Sequence, residues 1–104
     1  MIVSGWHNGK AHNVTGSGYG IRIRREDRDN YFRKTWTSVA VELENGEVVD
    51  LRLSHSFWGR SRALWGKQVG KWMLARGFAP WPRGTPPKFR LEPAGDRRFR
   101  LSRL

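Results

Sequence analysis

Residues 7–17 form a polar segment whose side chains are of the types that bind nucleic acids. The candidates in it are Asn8, Lys10, His12 and Asn13. Their amide, ammonium and imidazole groups can hydrogen-bond base edges or phosphate oxygens. Glycine and asparagine recur through the segment and favour turns. A solvated loop between two strands is therefore the simpler interpretation of this segment on its own.

Residues 54–62 form a second polar segment, in which hydroxyl, imidazole, aromatic and guanidinium groups surround one glycine. This mixture suits contacts to both phosphates and bases. The candidates in it are His55, Ser56, Trp58, Arg60 and Arg62. Of the two adjacent aromatic residues, we expect Phe57 to enter the core and Trp58 to be exposed.

A third group of candidates lies in a hairpin predicted at the end of the chain. Alternation of apolar and polar residues predicts strands at residues 88–92 and 97–101, joined by a turn at residues 93–96. The residues that then share the outer face are Arg90, Arg98 and Arg100. Like charges packed on one face are unfavourable unless an anionic group offsets them. This face therefore also points to a polyanion.

The net charge indicates the same class of ligand. Twenty Lys and Arg residues, fifteen of them Arg, stand against nine Asp and Glu residues, for a formal charge of +11. The residues up to Leu51 hold seven basic and seven acidic side chains, so the whole excess lies from Arg52 onward. A one-sided excess of arginine is typical of phosphate binding, which releases condensed counterions. Solubility, an acidic protein partner or an anionic membrane surface would also explain the charge.

Composition argues against several other kinds of site. The chain has no cysteine, so it holds neither a disulfide nor a cysteine zinc site. His7, His12 and His55 lack the close spacing of metal ligands, and we predict no metal and no cofactor. No apolar run has the length of a membrane span, and the N-terminus lacks the features of a signal peptide. We expect a cytoplasmic, intracellular protein without membrane contact, nucleoid-associated if it binds DNA.

Strands that position these segments are predicted from period-two alternation. A first strand is expected at residues 2–6, and alternation predicts strands at residues 19–24, 36–44 and 47–53 before the final hairpin. Asn45-Gly46 joins the last two, because both central positions of a type I′ turn favour positive φ. The chain is thus predicted to be mainly β and to form a single domain over residues 1–104.

Two short helices and one irregular segment complete the prediction. A helix is expected at about residues 25–32, where early acidic residues suit a helix N-terminus. A second is expected at about residues 66–76, because its apolar residues share one helical face. Those residues are Trp65, Val69, Trp72 and Met73. Residues 78–87 hold four prolines and should form an extended segment held to the barrel by Trp81.

The order of these elements resembles the B-three DNA-binding pseudobarrel of plant transcription factors and of effector-binding domains in bacterial restriction endonucleases. The matching pieces are residues 20–32, 41–51, 70–78 and 89–101. The resemblance covers nearly the whole chain and implies an open seven-stranded pseudobarrel with two short helices. One departure is that the family usually has a Gly-Asp turn where this chain has residues 82–87.

The resemblance also implies how DNA would be held. In such domains two loops grip the major groove, and they correspond here to residues 7–17, the first arm, and residues 54–62, the second arm. Arg60 and Arg62 are then the best candidates for guanine or phosphate contacts, with the polar side chains of the first arm opposite. We therefore expect a non-enzymatic, double-stranded DNA-binding domain, such as a bacterial regulator or a targeting module of a defence system.

Three other functions remain open from the sequence. RNA or single-stranded DNA could stack on Trp58 or Trp81. A nuclease could use the three histidines and Asp50, although no paired-carboxylate or nucleophile motif is present. A small inhibitor module could bind an acidic protein surface. The oligomeric state is left open as well.

Overall fold

The chain forms one nearly closed, barrel-shaped sheet of seven strands with three short helices. The computed structural model describes all 104 residues, and about 19% of them are helical. The strands are β1 (Ile2–His7), β2 (Tyr19–Arg22), β3 (Ser38–Glu42), β4 (Val48–Arg52), β5 (Ala63–Trp65), β6 (Lys88–Gly95) and β7 (Arg98–Arg103). The helices are α1 (Arg25–Tyr31), α2 (His55–Trp58) and α3 (Lys67–Ala75). The prediction of a mainly β, seven-stranded open barrel is confirmed.

The strand order across the sheet is β4-β3-β7-β6-β1-β2-β5. Every neighbouring pair is antiparallel except β3 and β7, which are parallel. The two edge strands, β4 and β5, approach each other without forming ladder hydrogen bonds. We call the gap between them the seam. No helix is long and apolar enough to cross a bilayer.

The prediction of two helices was incomplete. A third helix, α2, lies inside residues 54–62, where only a loop was expected. Ser54 begins it as the N-cap, since its Oγ accepts a hydrogen bond from the Phe57 amide at 3.3 Å. Both predicted helices are present, with bounds that differ from the prediction by one residue at most.

Trp65 was expected on the apolar face of the second predicted helix, and this was wrong. It lies in β5 instead, and 47% of its surface is exposed. Gly66 has extended backbone angles, φ −176° and ψ 155°, so α3 begins only at Lys67. The spacing of Trp65, Val69 and Trp72 resembles a helical repeat, but strand β5 ends and helix α3 begins between Trp65 and Val69.

The core lies inside the barrel, where alternate residues of the strands point. In the central hairpin Val39 pairs with Leu51 and Val41 with Val49, and all four are buried. Helix α3 fills one end of this core with Val69, Trp72 and Met73. The Trp72 ring packs against those of Phe78 and Phe89 at centroid distances of 5.4 and 5.3 Å. Burial of such side chains stabilises the fold by about 1.5–3 kcal/mol each.

The loop between β1 and β2 packs directly on α3. A Cβ atom on Gly70 would overlap the carbonyl oxygen of Gly16, and one on Gly16 would overlap the main chain of α3. Only glycine permits this approach of two backbones, and Gly16 also has a positive φ of 81°. The first arm is therefore fixed at its end by the helix that fills the core.

Candidate nucleic-acid interface

The first arm, residues 7–17, connects β1 to β2, and its four candidate side chains are all exposed. Three of them also shape the loop. Asn8 Oδ1 accepts from the Lys10 amide at 2.9 Å, and His12 Nδ1 accepts from the Thr15 amide at 3.1 Å. Asn13 Oδ1 accepts from the Tyr19 hydroxyl. The Lys10 ammonium and the two amide NH₂ groups remain as donors for a ligand.

The second arm, residues 54–62, begins with α2 and returns to the sheet at β5. Phe57 is fully buried, as expected, whereas Trp58, which was expected to be exposed, is half-buried against the core. The Trp58 ring packs edge-on against Phe57 at 5.1 Å and lies 5.7 Å from the Arg28 guanidinium. His55, Ser56 and Arg60 are exposed. Arg60 is the arginine of this arm that points freely into solvent.

Arg28 of α1 holds the second arm from beneath, and sequence reasoning missed it. The residue is only 9% exposed, and Nη1 donates to the carbonyl oxygens of Phe57 and Gly59 at 3.2 and 3.0 Å. Its Nε donates to Asp29 at 3.0 Å. The one signal in the sequence is its position one helical turn before Phe32, a residue that packs in the core.

Arg22 of β2 holds the other half of the same arm. Its Nε donates to the carbonyl oxygen of Ser61 at 3.2 Å, and Nη2 donates to that of Arg60 at 3.3 Å. Alternation in the sequence placed Arg22 on the outer face of its strand but did not indicate this contact. The main chain of the second arm is thus fixed by guanidinium groups from two separate elements.

Arg62 was expected to contact guanine or phosphate, but the structure places it at the base of the second arm. It is half-buried with a positive φ of 50°, and its Nε donates to the carbonyl oxygen of Ile23 at 2.9 Å. Burial lowers the pKa of Arg62, and the nearby charges of Arg22, Arg28 and Arg25 lower it further. The guanidinium therefore belongs to a crowded cationic cluster beneath the arm.

The three arginines of the final hairpin are exposed on the outer face, as predicted. Glu42 of β3 lies beside two of them, at 3.6 Å from Arg98 and 3.3 Å from Arg100. The anionic group that offsets their repulsion is thus part of the chain, because β3 pairs with β7. Arg90 lies across from Ile2 and Ser102 and makes no ion pair. Of the three arginines of the final hairpin, Arg90 is thus the one without a carboxylate partner.

The two arms leave the sheet at opposite ends of β2. The first arm leads into β2 at Tyr19, and the second joins β5 at Ala63, which pairs with Arg22. Four residues of strand separate these points by about 10 Å. At the Arg22 end of β2 the outer face carries a row formed by Lys88, Ser4 and Arg22, in which Lys88 Nζ donates to Ser4 Oγ at 2.7 Å. The outer face of the sheet is therefore basic beside the second arm.

Of the titratable groups that a nuclease could use, Asp50 lies in β4, His55 in the second arm, and His7 and His12 in the first arm. No three His, Asp or Glu side chains form a group that could hold a metal ion. The largest cavity, of about 600 Å³, lies between the end of α1 and the turn from β6 to β7. None of the predicted site residues lines it.

Comparison with models of known protein families, with curated proteins and with solved structures found no match to this chain. The resemblance to B-three domains therefore rests on the order of the elements and on the residues quoted for it above.

Proposed function

We propose that this chain is a non-catalytic, double-stranded DNA-binding domain whose two arms enter the major groove. The observation that carries the proposal is the second arm. It presents His55, Ser56 and Arg60 to solvent on a main chain that arginines hold in place. Because the main chain of this arm is already fixed, little conformational entropy is lost when it binds a ligand, and this favours affinity.

The charge around this arm supports an anionic ligand. No Asp or Glu occurs between Leu51 and Leu91. Arg22, Arg25 and Arg28 lie near enough to Arg62 for their charges to act on it. A phosphate group near this cluster would reduce the repulsion and release counterions from the duplex.

The spacing of the arms supports a duplex rather than a single strand. Their bases lie about 10 Å apart along β2, and the major groove is about 12 Å wide. The row of Lys88, Ser4 and Arg22 at the second-arm end of β2 offers donors to phosphate oxygens. In this arrangement Arg60 would face base edges or phosphates from one side, and Asn8, Lys10 and Asn13 from the other.

Fluorescence anisotropy tests the proposal with three ligands of one random sequence: a short duplex, its single strand and the corresponding RNA. We expect the duplex to bind most tightly and its affinity to fall steeply with salt, because several phosphates are neutralised. A preference for single strands or RNA would support stacking on an exposed ring instead. Absence of binding at low salt would favour a protein partner.

Cleavage is tested with the same protein preparation. Plasmid DNA incubated with the protein and Mg²⁺ is expected to stay intact. Metal-dependent cleavage that disappears in His55→Ala would overturn the non-catalytic part of the proposal.

A further inference from the structure

A cavity of about 400 Å³ opens at the seam, between the edge strands β4 and β5. The side chains that line it are Ser17, Arg52, Ser54, Trp65 and Lys67. Ser17 belongs to the first arm and Ser54 to the second, so both arms contribute to this one cavity. We call it the seam cavity.

We propose that the seam cavity binds a single unpaired nucleotide, with Trp65 against the base and with Arg52 and Lys67 at the phosphate. The nucleotide could be free in solution or could be an unpaired end of a bound strand. The second source rests on the proposed function, whereas the first does not.

The aromatic half of the site is Trp65, the only one of the six tryptophans that is exposed. Its neighbour Leu64 points into the core, so the alternation of β5 turns Trp65 outward. Trp65 pairs with Gly20, where a Cβ atom would overlap the main chain of β5. The Trp6 ring lies beside it at 6.1 Å. An indole fixed in this way offers a stacking surface, which contributes about five- to 150-fold to affinity for a base.

The cationic half of the site comes from opposite sides of the seam. Arg52 ends β4 and Lys67 begins α3, and both side chains are exposed. Neither forms an ion pair or a hydrogen bond within the chain. No carboxylate lines the cavity. Two unpaired cations that face one cavity make it attractive to an anion.

The volume and walls of the cavity fit a small ligand. Sites for small molecules measure about 300–1,000 Å³ and are mostly preformed, so a cavity of 400 Å³ suits one nucleotide and excludes a duplex. Its walls are held by the Gly16 to Gly70 backbone contact and by the Gly66 amide, which donates to the Tyr19 carbonyl at 3.2 Å. A ligand with both an aromatic ring and a phosphate contacts Trp65 as well as the two cations. Inorganic phosphate contacts only the cations, and a nucleoside contacts only Trp65.

The direct test follows the six indole N–H signals of ¹⁵N-labelled protein by NMR, with the Trp65 signal assigned from Trp65→Phe. The probes are deoxyadenosine monophosphate, deoxyadenosine and inorganic phosphate. We expect the monophosphate to shift the Trp65 signal saturably. It should bind at least about ten-fold more tightly than deoxyadenosine or inorganic phosphate does. The double variant Arg52→Gln with Lys67→Gln should remove that advantage while the other five signals stay in place.

A Trp65 signal that stays unchanged at millimolar nucleotide would overturn the proposal. Equal affinity for phosphate and for the monophosphate would do so as well, because the base would then contribute nothing.

The source of the nucleotide is tested with two duplexes, one blunt and one with a single unpaired nucleotide at its end. If the source is a strand end, the overhang should bind about five-fold more tightly than the blunt duplex. Trp65→Ala should abolish this difference without weakening binding of the blunt duplex. Nucleotide binding without any duplex binding would contradict the proposed function but would support the seam cavity as a site for free nucleotide. Blunt duplex binding without a nucleotide effect on Trp65 would end only the seam-cavity proposal.

Discussion

Arginine side chains in this protein have three different environments, and each predicts a different effect of substitution. Arg28 is buried and donates to main-chain carbonyls, Arg98 pairs with Glu42, and Arg60 is exposed without a partner. Only the last kind is free to contact a ligand without giving up an internal contact. Exposure and unpaired charge therefore distinguish a contact residue from a positioning residue here.

Arg60→Ala is expected to weaken duplex binding about ten-fold and to leave the melting temperature unchanged, because one arginine contact to a base or phosphate is lost. Anisotropy titration measures the affinity. The matched control is Arg76→Ala, which removes the same charge at the exposed end of α3. Equal losses of duplex affinity in the two variants would indicate that the second arm is not part of the interface.

Tyr19 should make the stability of the protein depend on alkaline pH. Its ring is buried, and this burial raises the pKa of the phenol above the usual value of about 10. The folded state favours the neutral phenol. The contribution of Tyr19 to the free energy of unfolding is therefore complete below the usual phenol pKa and is lost as pH rises through the raised pKa.

Urea unfolding of Tyr31→Phe, which leaves Tyr19 as the only tyrosine, should show this loss. The additional variant Tyr19→Phe should show a smaller decrease over the same alkaline range. Identical pH profiles would indicate that the phenol of Tyr19 ionises as freely in the folded state as in the unfolded state.

At the scale of elements, the second arm and helix α3 owe their positions to contacts with distant parts of the chain. The arm follows β4 in the sequence, but Arg22 of β2 and Arg28 of α1 hold its carbonyl groups. Helix α3 fills the barrel and also supports the first arm through Gly70. Both arms are therefore coupled to the stability of the core.

Arg28→Lys should lower the free energy of unfolding by about 1.5–3 kcal/mol, because an ammonium group cannot reproduce the two guanidinium hydrogen bonds to the arm. It should also weaken duplex binding, although Arg28 is too buried to touch DNA. Urea unfolding and anisotropy measure the two effects. Arg25→Lys, an exposed change on the same helix, is the control and should alter stability little.

Trp72→Ala should destabilise the protein by about 3–5 kcal/mol, as truncations of large core residues do. Trp72 is 3% exposed, and its Nε1 is buried without a hydrogen-bond partner. Trp72→Phe, which removes that unpaired group and less volume, should therefore cost less than the alanine variant. Thermal unfolding measures both, and a melting temperature of Trp72→Ala equal to that of the wild type would show that α3 does not support the core.

At the scale of the whole molecule, the barrel is closed everywhere except at the seam. Its edge strands, β4 and β5, each pair with one neighbour, whereas β6 and β7 lie in the middle of the sheet. Strand β5 has only three residues. The seam is thus the place where opening of the barrel requires the fewest broken hydrogen bonds.

Hydrogen exchange followed by mass spectrometry should detect this difference. Peptides that cover β5 should exchange faster than peptides that cover β7 under native conditions, because local opening at an edge costs less free energy than opening at the centre. Equal protection of the two strands would mean that the sheet opens only as a whole.

Local patterns in the sequence were sufficient to predict most of the elements. Local patterns predicted six of the seven strands, five of them by alternation, Asn45-Gly46 predicted the central hairpin, and the apolar spacing predicted α3. These features depend on residues within a few positions of each other, where the periods of strand and helix apply directly. The polar segments of both arms were found in the same way, because their composition is local.

Tertiary structure alone decided which side chains meet. The parallel pairing of β3 with β7 brings Glu42 to Arg98 and Arg100, and the fold brings Arg28 to the second arm. The sequence separates these partners by tens of residues and carries no periodic signal that links them. Trp65 became an exposed strand residue for the same reason, since its pairing with Gly20 outweighed a local helical spacing. Periodicity thus determined the elements, whereas strand order and register determined the surfaces that a ligand would meet.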